Sequence, residues 1–138
     1  MKEMTVTSSV DQIKPVTDFI NAELAELMCP EEPRIQIDVA IDEIFGNIIH
    51  YAYEPDNGPV TIRFSVEEDP LTVSITFIDR GIPFDPLKEA PPDLSVPLRN
   101  RSIGGLGLFV VRNTMDEVTY RYEDERNILT IRKNITCN

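Results

Sequence analysis

The apolar side chains of this chain recur with two different periods, and the change from one period to the other is the feature that most restricts the fold. Over residues 10–28 they are spaced three or four positions apart, and the same spacing returns over about residues 34–53. Over residues 60–66 and 71–77, apolar and polar residues alternate strictly. The first spacing is typical of amphipathic helices and the second of half-buried strands. The sequence therefore predicts two helices followed by paired strands.

Turn-forming and polar residues separate the remaining elements. We expect a short strand near residues 5–8, a third helix over about 106–115, and two final strands at 117–122 and 128–133. This order is typical of an α+β fold. The prediction is a two-layer sandwich in which about three helices cover one face of a mixed, mostly antiparallel sheet. Because 138 residues are enough for one domain, we assign residues 1–138 to a single domain.

The chain is strongly acidic, with 13 Lys and Arg residues against 24 Asp and Glu residues and a formal net charge of −11. Binding to nucleic acid or to an anionic membrane depends on clustered cations, so this balance argues against both. No apolar run approaches the ~20 residues that cross a bilayer, and the first residues lack the apolar core of a secretory signal. We therefore expect a cytoplasmic protein that binds neither nucleic acid nor membrane directly.

A long stretch at residues 79–107 lacks periodic structure until its end, although it holds five of the 11 prolines and four of the six glycines. A loop longer than ~12 to 15 residues inside a compact domain is usually a functional lid or a disordered linker. Because more than 30 residues of predicted helix and strand follow it, we interpret this stretch as a lid, at about residues 80–104.

The end of this stretch is rich in glycine and runs directly into the predicted third helix. Gly104, Gly105 and Gly107 let the backbone approach a ligand closely, and a helix start offers N–H groups that have no partner within the helix. Phosphate is the anion that such a site typically binds. The alternative is a flexible helix cap without a ligand.

The second predicted helix carries a carboxylate and an amide one turn apart. Glu43 and Asn47 share a helical face with Gly46 and His50. A carboxylate can accept a proton and an amide oxygen can ligate a hard cation, which is the chemistry that phosphoryl transfer requires. The alternative is a solvated polar face. Gly46 favours a site, because an interior helix glycine costs ~1 kcal/mol relative to alanine and usually makes room for something.

Asp79 stands at the end of an alternating segment, two residues before Gly81. The glycine permits a sharp exit from the strand and the close approach of a flat ligand. A carboxylate there can accept a hydrogen bond from an exocyclic amine such as that of adenine. A turn-forming aspartate without a ligand is the alternative.

The three motifs together resemble a known set. Glu43-x-x-x-Asn47, Asp79-x-Gly81 and Gly105-x-Gly107 are similar to the N, G1 and G2 boxes of an ATPase superfamily. Type II topoisomerases, a heat-shock chaperone family, mismatch-repair ATPases and histidine kinases share that histidine-kinase-like, Bergerat-type ATP-binding fold. Residues 47–53, 79–86 and 115–118 look most like the anti-sigma factor serine-protein kinases within it.

The resemblance implies a role for each motif residue. Glu43 would be the catalytic general base on a serine hydroxyl, and Asn47 would ligate Mg²⁺ that bridges the ATP phosphates. Asp79 would bind adenine, and Gly81 would shape the pocket around it. The proline-rich stretch would be the ATP lid.

The resemblance also assigns the phosphate-binding residues. Arg101 would steady the γ-phosphate or the partner protein, with a solvated surface arginine as the alternative. Backbone groups of the glycine-rich turn would hold the phosphates: Gly104, Gly105, Leu106, Gly107 and Leu108.

The implied function is that of an ATP- and Mg²⁺-dependent serine-protein kinase that acts as an anti-sigma factor. Such a protein would phosphorylate a small antagonist protein, bind a sigma factor and form a homodimer. The alternative is a catalytically silent regulator that binds its partner when ATP closes the lid.

Overall fold

The computed structural model of the chain describes residues 1–53, 55–88 and 105–136. Five strands and three α-helices follow one another within these described residues. In order they are β1 (Lys2–Thr7), α1 (Ile13–Glu26), α2 (Glu31–Asn47), β2 (Pro59–Glu67), β3 (Thr72–Asp79), α3 (Gly105–Thr114), β4 (Glu117–Glu123) and β5 (Arg126–Asn134). Short 3-10 turns lie at Val10–Gln12 and Pro86–Lys88.

The five strands form one sheet in the order β1-β2-β3-β5-β4, and each described pairing is antiparallel. The α+β fold class predicted from the sequence is therefore confirmed. The register between β3 and β5 sets Asp79 opposite Asn127. This pairing brings the end of the second alternating segment next to the turn that precedes the last strand.

One hydrophobic core joins the helical layer to the sheet. Alternate residues of the strands point toward the helices, as the period of two requires. The fully buried members include Val16, Ile20, Leu24, Ile37, Ile41, Phe45, Ile62, Ile75, Phe77, Val111 and Ile131. Because α2 supplies core residues from Ile37 to Phe45, this helix is anchored in the core and presents its remaining face to the site.

The second helix begins earlier than its periodicity predicts. It begins at Glu31, although the sequence places its start near residue 34 because of the prolines at 30 and 33. Pro33 lies in the first helical turn, where the missing N–H has no intrahelical partner to lose. Two acidic residues, Glu31 and Glu32, also suit the positive end of the helix dipole.

The end of the same helix is not α-helical. Residues Ile48–Ala52 form a π-helical segment directly after Asn47. π-helical segments are rare, and those that occur are frequently found at functional sites.

Within the described residues, no helix combines the length and the apolar composition that crossing a membrane requires.

Candidate functional site

A cleft open to solvent lies between α2, the π-helical segment, the end of β3 and the last two strands. Its volume is about 430 Å³ when the part open to solvent is included, and its walls are mostly apolar side chains. Ile44, Ile48, Ala52, Phe77, Ile82, Phe84, Pro86 and Leu129 supply those walls. Asn47, Asp79, Tyr120 and Asn127 supply most of the polar groups. An apolar cleft with a few convergent polar groups is the usual form of a small-molecule site.

Asp79 is the buried carboxylate of this cleft, with 5% of its surface exposed. Its Oδ1 accepts hydrogen bonds from the Gly81 N–H at 2.8 Å and from Asn127 Nδ2 at 2.9 Å. Burial raises the pKa of this carboxyl, and the hydrogen bonds from Asn127 and Gly81 offset part of that rise. Since both described bonds go to Oδ1, Oδ2 is the oxygen that can accept a hydrogen bond from a ligand amine.

Gly81 lies against the π-helical segment. A Cβ built on this residue would overlap the carbonyl group of Ala52, so only glycine fits there without displacing backbone. The Ala52 carbonyl also accepts a hydrogen bond from the Ile82 N–H at 2.9 Å. The π-helical segment and the turn after β3 are thus joined through backbone atoms.

Tyr53 joins the same turn from the other side. Its hydroxyl donates a hydrogen bond to the Pro59 carbonyl at 2.7 Å and accepts one from the Arg80 N–H, also at 2.7 Å. Gly58 gives the ring room, since a Cβ at that position would meet the ring carbons at 2.5 to 2.8 Å. The sequence did not single out Tyr53, because a tyrosine after a helix has no distinctive spacing.

Asn127 is the polar residue that the sequence analysis missed. It is 6% exposed, and its side chain contacts Asp79, the carbonyls of Gly81 and Ile82, and the N–H of Phe84. Tyr120 also donates a hydrogen bond to Asn127 Oδ1. The signal in the sequence was weak: Asn127 shares the alternating face of Leu129 and Ile131, so it is a polar residue on an apolar face.

An aromatic pair lies at the mouth of the cleft. The rings of Tyr51 and Phe84 stack with their centroids 4.9 Å apart and their planes 21° from parallel. His50 is exposed, and its ring meets Tyr51 edge-on with the centroids 6.4 Å apart. Flat, apolar surfaces at this position suit a planar heterocycle such as a purine.

Glu43 and the first turn of α3 lie in direct contact. A Cβ built on Gly107 would overlap the carboxylate of Glu43, so any other residue there would force that carboxylate or the turn to move. Burial raises the pKa of the Glu43 carboxyl above its ordinary value. The structure therefore brings together two of the predicted motif residues that are 64 positions apart in the chain.

Two polar atoms on the same face of α2 are buried without a hydrogen-bond partner among the described residues: Glu43 Oε1 and Asn47 Nδ2. A buried polar atom without a partner is costly, which favours a ligand at this position. The oxygen and nitrogen of an amide exchange places by rotation, so Asn47 can present either one. Oxygen groups of this kind fit Mg²⁺, which takes few ligands from protein and the rest from water and phosphate.

Gly46 gives a different result from the one expected. A Cβ at this position would meet nothing within 4 Å, so no protein neighbour explains the glycine. Gly46 lies between Glu43 and Asn47 in the sequence, on the face that carries them.

The remaining predicted phosphate-binding residues divide into two groups. Arg101 and Gly104 lie outside the described residues, as does most of the predicted lid. Gly105, Leu106, Gly107 and Leu108 form the first turn of α3, where a helix presents free N–H groups. Leu108 itself is buried, with 8% of its surface exposed.

Comparison with known proteins gives findings of three kinds: a family, two relatives and a solved structure. The model of the histidine kinase-like ATPase domain family matches residues 6–133. Serine-protein kinase RsbW of Bacillus cereus (strain ATCC 10987 / NRS 248) is 32% identical over 95 residues, which are 66% of this chain and 58% of that protein. Serine-protein kinase RsbW of Bacillus mycoides (strain KBAB4) is 30% identical over the same shares. The matched region thus spans less than two thirds of these relatives' length.

The third kind of finding concerns a solved structure, that of the RsbU and RsbW domains of a Mycobacterium tuberculosis protein. It superposes with a TM-score of 0.66 and 15% sequence identity, over 100% of this chain and 34% of that one. At this identity the likeness establishes the fold alone.

Proposed function

The chain belongs to the histidine kinase-like ATPase family, and on that premise we propose that it binds ATP with Mg²⁺ and transfers the γ-phosphoryl group to a serine of a partner protein. The family resemblance expected from the sequence is confirmed, whereas the activity, the substrates and the partners are our proposals. The RsbW serine-protein kinases among its relatives support this choice of reaction.

The observation that carries the proposal is the contact between Glu43 and Gly107, beside the buried amide of Asn47. The contact unites a base, a metal-binding side chain and a helix N-terminus in one small region. Each of these alone is common on protein surfaces. Together they supply what phosphoryl transfer needs: a proton acceptor, a ligand for the cation and N–H donors for the phosphates.

In this proposal, different residues bind the adenine and the phosphates of the nucleotide. Asp79 Oδ2 accepts the hydrogen bond of the adenine amine, while Gly81 keeps the turn close to the base. The backbone of residues 105–108 holds the phosphates, and Asn47 holds Mg²⁺, which offsets phosphate charge when bound. Arg101 and Gly104 are assigned to the phosphates on the family resemblance alone.

The transfer itself needs one proton acceptor. The serine oxygen forms a bond to the γ-phosphorus while the bond from that phosphorus to the bridging oxygen of ADP breaks. The serine proton passes to the Glu43 carboxylate, and ADP leaves. Positioning and charge neutralisation supply most of the rate in phosphoryl transfer, so the walls of the cleft matter as much as the base.

We further propose that the serine belongs to a small anti-sigma factor antagonist and that the chain binds a sigma factor, as a homodimer in the cytoplasm. The acidic composition supports a protein partner over direct contact with nucleic acid.

The proposal is tested with γ-labelled ATP, Mg²⁺ and a purified antagonist protein encoded next to this chain. Glu43→Gln should lower the transfer rate by ~10² to 10⁴-fold, the usual contribution of a general base, while the Kd of ATP changes little. Asp42→Asn is the matched control, because Asp42 is the exposed neighbour on the same helix and loses the same charge. It should transfer at the wild-type rate.

Two results would contradict the kinase reaction. One is wild-type protein that binds ATP, changes its affinity for the partner and yet transfers no label; this result would favour the silent regulator. The other is a Glu43→Gln variant that transfers at the wild-type rate, since the proton would then need another acceptor.

A further inference from the structure

We propose that Asn127 is a positioning residue for nucleotide recognition, and that Tyr120 fixes its amide in the working orientation. The proposal rests on the proposed function, because the positioned group is the carboxylate of Asp79. Neither Asn127 nor Tyr120 belongs to one of the three sequence motifs. The argument comes from the hydrogen bonds that converge on one buried side chain.

The amide of Asn127 has only one orientation that satisfies its surroundings. Its Oδ1 accepts hydrogen bonds from the Tyr120 hydroxyl and from the Phe84 N–H, the latter at 3.1 Å. The Phe84 N–H can only donate, so a flipped amide would leave it without an acceptor. The flip would also set Oδ1 of Asn127 against two other acceptors, Asp79 Oδ1 and the carbonyl oxygen of Ile82.

The other end of the amide then faces acceptors. Asn127 Nδ2 lies 2.9 Å from Asp79 Oδ1 and 2.8 Å from the carbonyl oxygen of Ile82, with the carbonyl oxygen of Gly81 at 3.4 Å. Two hydrogens serve the two short contacts. Asn127 therefore holds the Asp79 carboxylate and the turn after it in one arrangement.

This arrangement decides which oxygen of Asp79 meets the ligand. The Gly81 N–H and Asn127 Nδ2 both bind Oδ1, so the carboxylate cannot rotate without losing two hydrogen bonds in a buried site. Oδ2 is thereby directed to the ligand. Through Phe84, the same amide also fixes the start of the predicted lid.

The residue should therefore act on affinity and base selectivity rather than on the chemical step. Asn127→Asp is the sharpest variant, because it keeps the shape and the acceptor oxygen while replacing the donor that binds Asp79. We expect the Kd of ATP with Mg²⁺ to rise about tenfold or more, with the preference for ATP over GTP reduced. The transfer rate at saturating ATP should change less than threefold.

Tyr120→Phe tests the second part of the proposal. It removes the hydroxyl and leaves the ring, and we expect a rise in Kd of a few fold. In the Asn127→Ala background the same change should have no further effect, because the hydroxyl acts through Asn127. A hydroxyl that acted independently of Asn127 would give additive effects, and a Tyr120 that merely filled space would give no change in Kd, since the ring remains.

Matched controls exist for both changes. Asn57→Asp adds the same charge at an exposed asparagine, and Tyr122→Phe removes a hydroxyl from an exposed tyrosine of the same strand. Within the described residues, neither of these side chains makes a hydrogen bond. Both control variants should bind ATP as the wild type does.

A second readout does not need nucleotide. In the ligand-free protein, the Phe84 amide should exchange its hydrogen faster in Asn127→Ala than in wild type or Asn57→Asp. If wild type binds ATP but the Asn127 and Tyr120 variants match its affinity and selectivity, the inference is wrong and the proposed function stands. If wild type binds no ATP, the proposed function fails, and unchanged exchange at Phe84 would overturn the positioning role as well.

Discussion

At the residue scale, Gly107 and Gly46 can be compared directly, because both lie in helices beside the site but differ in their surroundings. The Cβ of an alanine at Gly107 would overlap the Glu43 carboxylate, whereas one at Gly46 would meet nothing within 4 Å. We expect Gly107→Ala to displace the base or the first turn of α3. A misplacement of ~1 Å can cost about 10²-fold in rate, so transfer should fall by that order. Single-turnover rates at saturating ATP measure this loss.

Gly46→Ala is the control for that prediction and has its own expected result. In a helix interior, alanine is better than glycine by ~1 kcal/mol, so the free energy of unfolding should increase by about that amount. Urea denaturation measures this increase. If Gly46→Ala also weakened ATP binding, the open space at this glycine would be where the ligand lies. Both glycines would then be needed at the ATP site.

Glu43 gives a prediction about pH. Burial raises the pKa of its carboxyl above the ordinary 4.5, and a general base must be ionised to accept the serine proton. The transfer rate should therefore increase with pH through a midpoint above 4.5 and then level off. A pH profile of single-turnover transfer tests this at ATP concentrations far below the Kd, because that profile reports the pKa of the ligand-free protein. A midpoint at or below the ordinary value would contradict the burial argument.

The same shift has a consequence for stability, with a defined sign. Because the folded state holds its proton to higher pH than the unfolded state, the stability that Glu43 contributes is full below 4.5 and declines as pH rises through the folded pKa. Glu43→Gln removes this dependence. In the ligand-free protein, the variant should gain stability relative to wild type between acid and neutral pH. Urea denaturation at several pH values measures the difference.

The sequence singled out the candidate-site residues whose chemistry appears in local motifs. Glu43, Asn47, Asp79 and Gly81 stand at spacings that one helix or one strand end can explain, and the structure places Glu43 against Gly107. Asn127 was not predicted, because its importance comes from strand register and not from its neighbours in the chain. The Asn127 amide contacts residues between positions 79 and 84, far away in the sequence, and such contacts leave no periodic pattern in the sequence.

At the element scale, the least predictable feature is the π-helical segment after Asn47. The periodicity of the second helix continues to Tyr53, but the backbone changes at Ile48, five residues before the turn. At the end of this segment, the Ala52 carbonyl accepts a hydrogen bond from the Ile82 N–H, and the Tyr53 hydroxyl accepts one from the Arg80 N–H. Hydrophobic spacing reports which face is buried and is insensitive to the hydrogen-bond pattern inside the helix. The bounds of the other elements differ from the predicted ones by a few residues.

Tyr53 allows a test of how these elements are joined. Its hydroxyl bonds two backbone groups, one from β2 and one from the turn after β3. Tyr53→Phe keeps the ring and leaves both groups without this partner, so the free energy of unfolding should fall by ~1 to 2 kcal/mol. Chemical denaturation with Tyr122→Phe as the exposed control measures the loss. Equal stability of the two variants would mean that water replaces the hydroxyl at no cost.

At the scale of the whole molecule, the cleft draws its residues from both the helical layer and the sheet. Asp79 ends a central strand, Asn47 ends α2, and Gly107 lies in the first turn of α3, while the helices and the sheet share one hydrophobic core. Unfolding of such a chain should be cooperative, so stabilisation at the cleft should reach all elements at once. This linkage converts a local binding event into a measurable change in global stability.

The last prediction follows from that linkage. ATP with Mg²⁺ at about a hundred times its Kd should raise the free energy of unfolding by ~2.7 kcal/mol, a shift in Tm of roughly 10 °C. Circular dichroism and the fluorescence of the four tyrosines should give coincident transitions, shifted together. Asp79→Ala should lose most of the shift, because the adenine amine loses its hydrogen-bond acceptor. Glu43→Gln should retain the shift. If the two signals separated, or if Asp79→Ala shifted as the wild type does, ATP would be stabilising some other part of the chain.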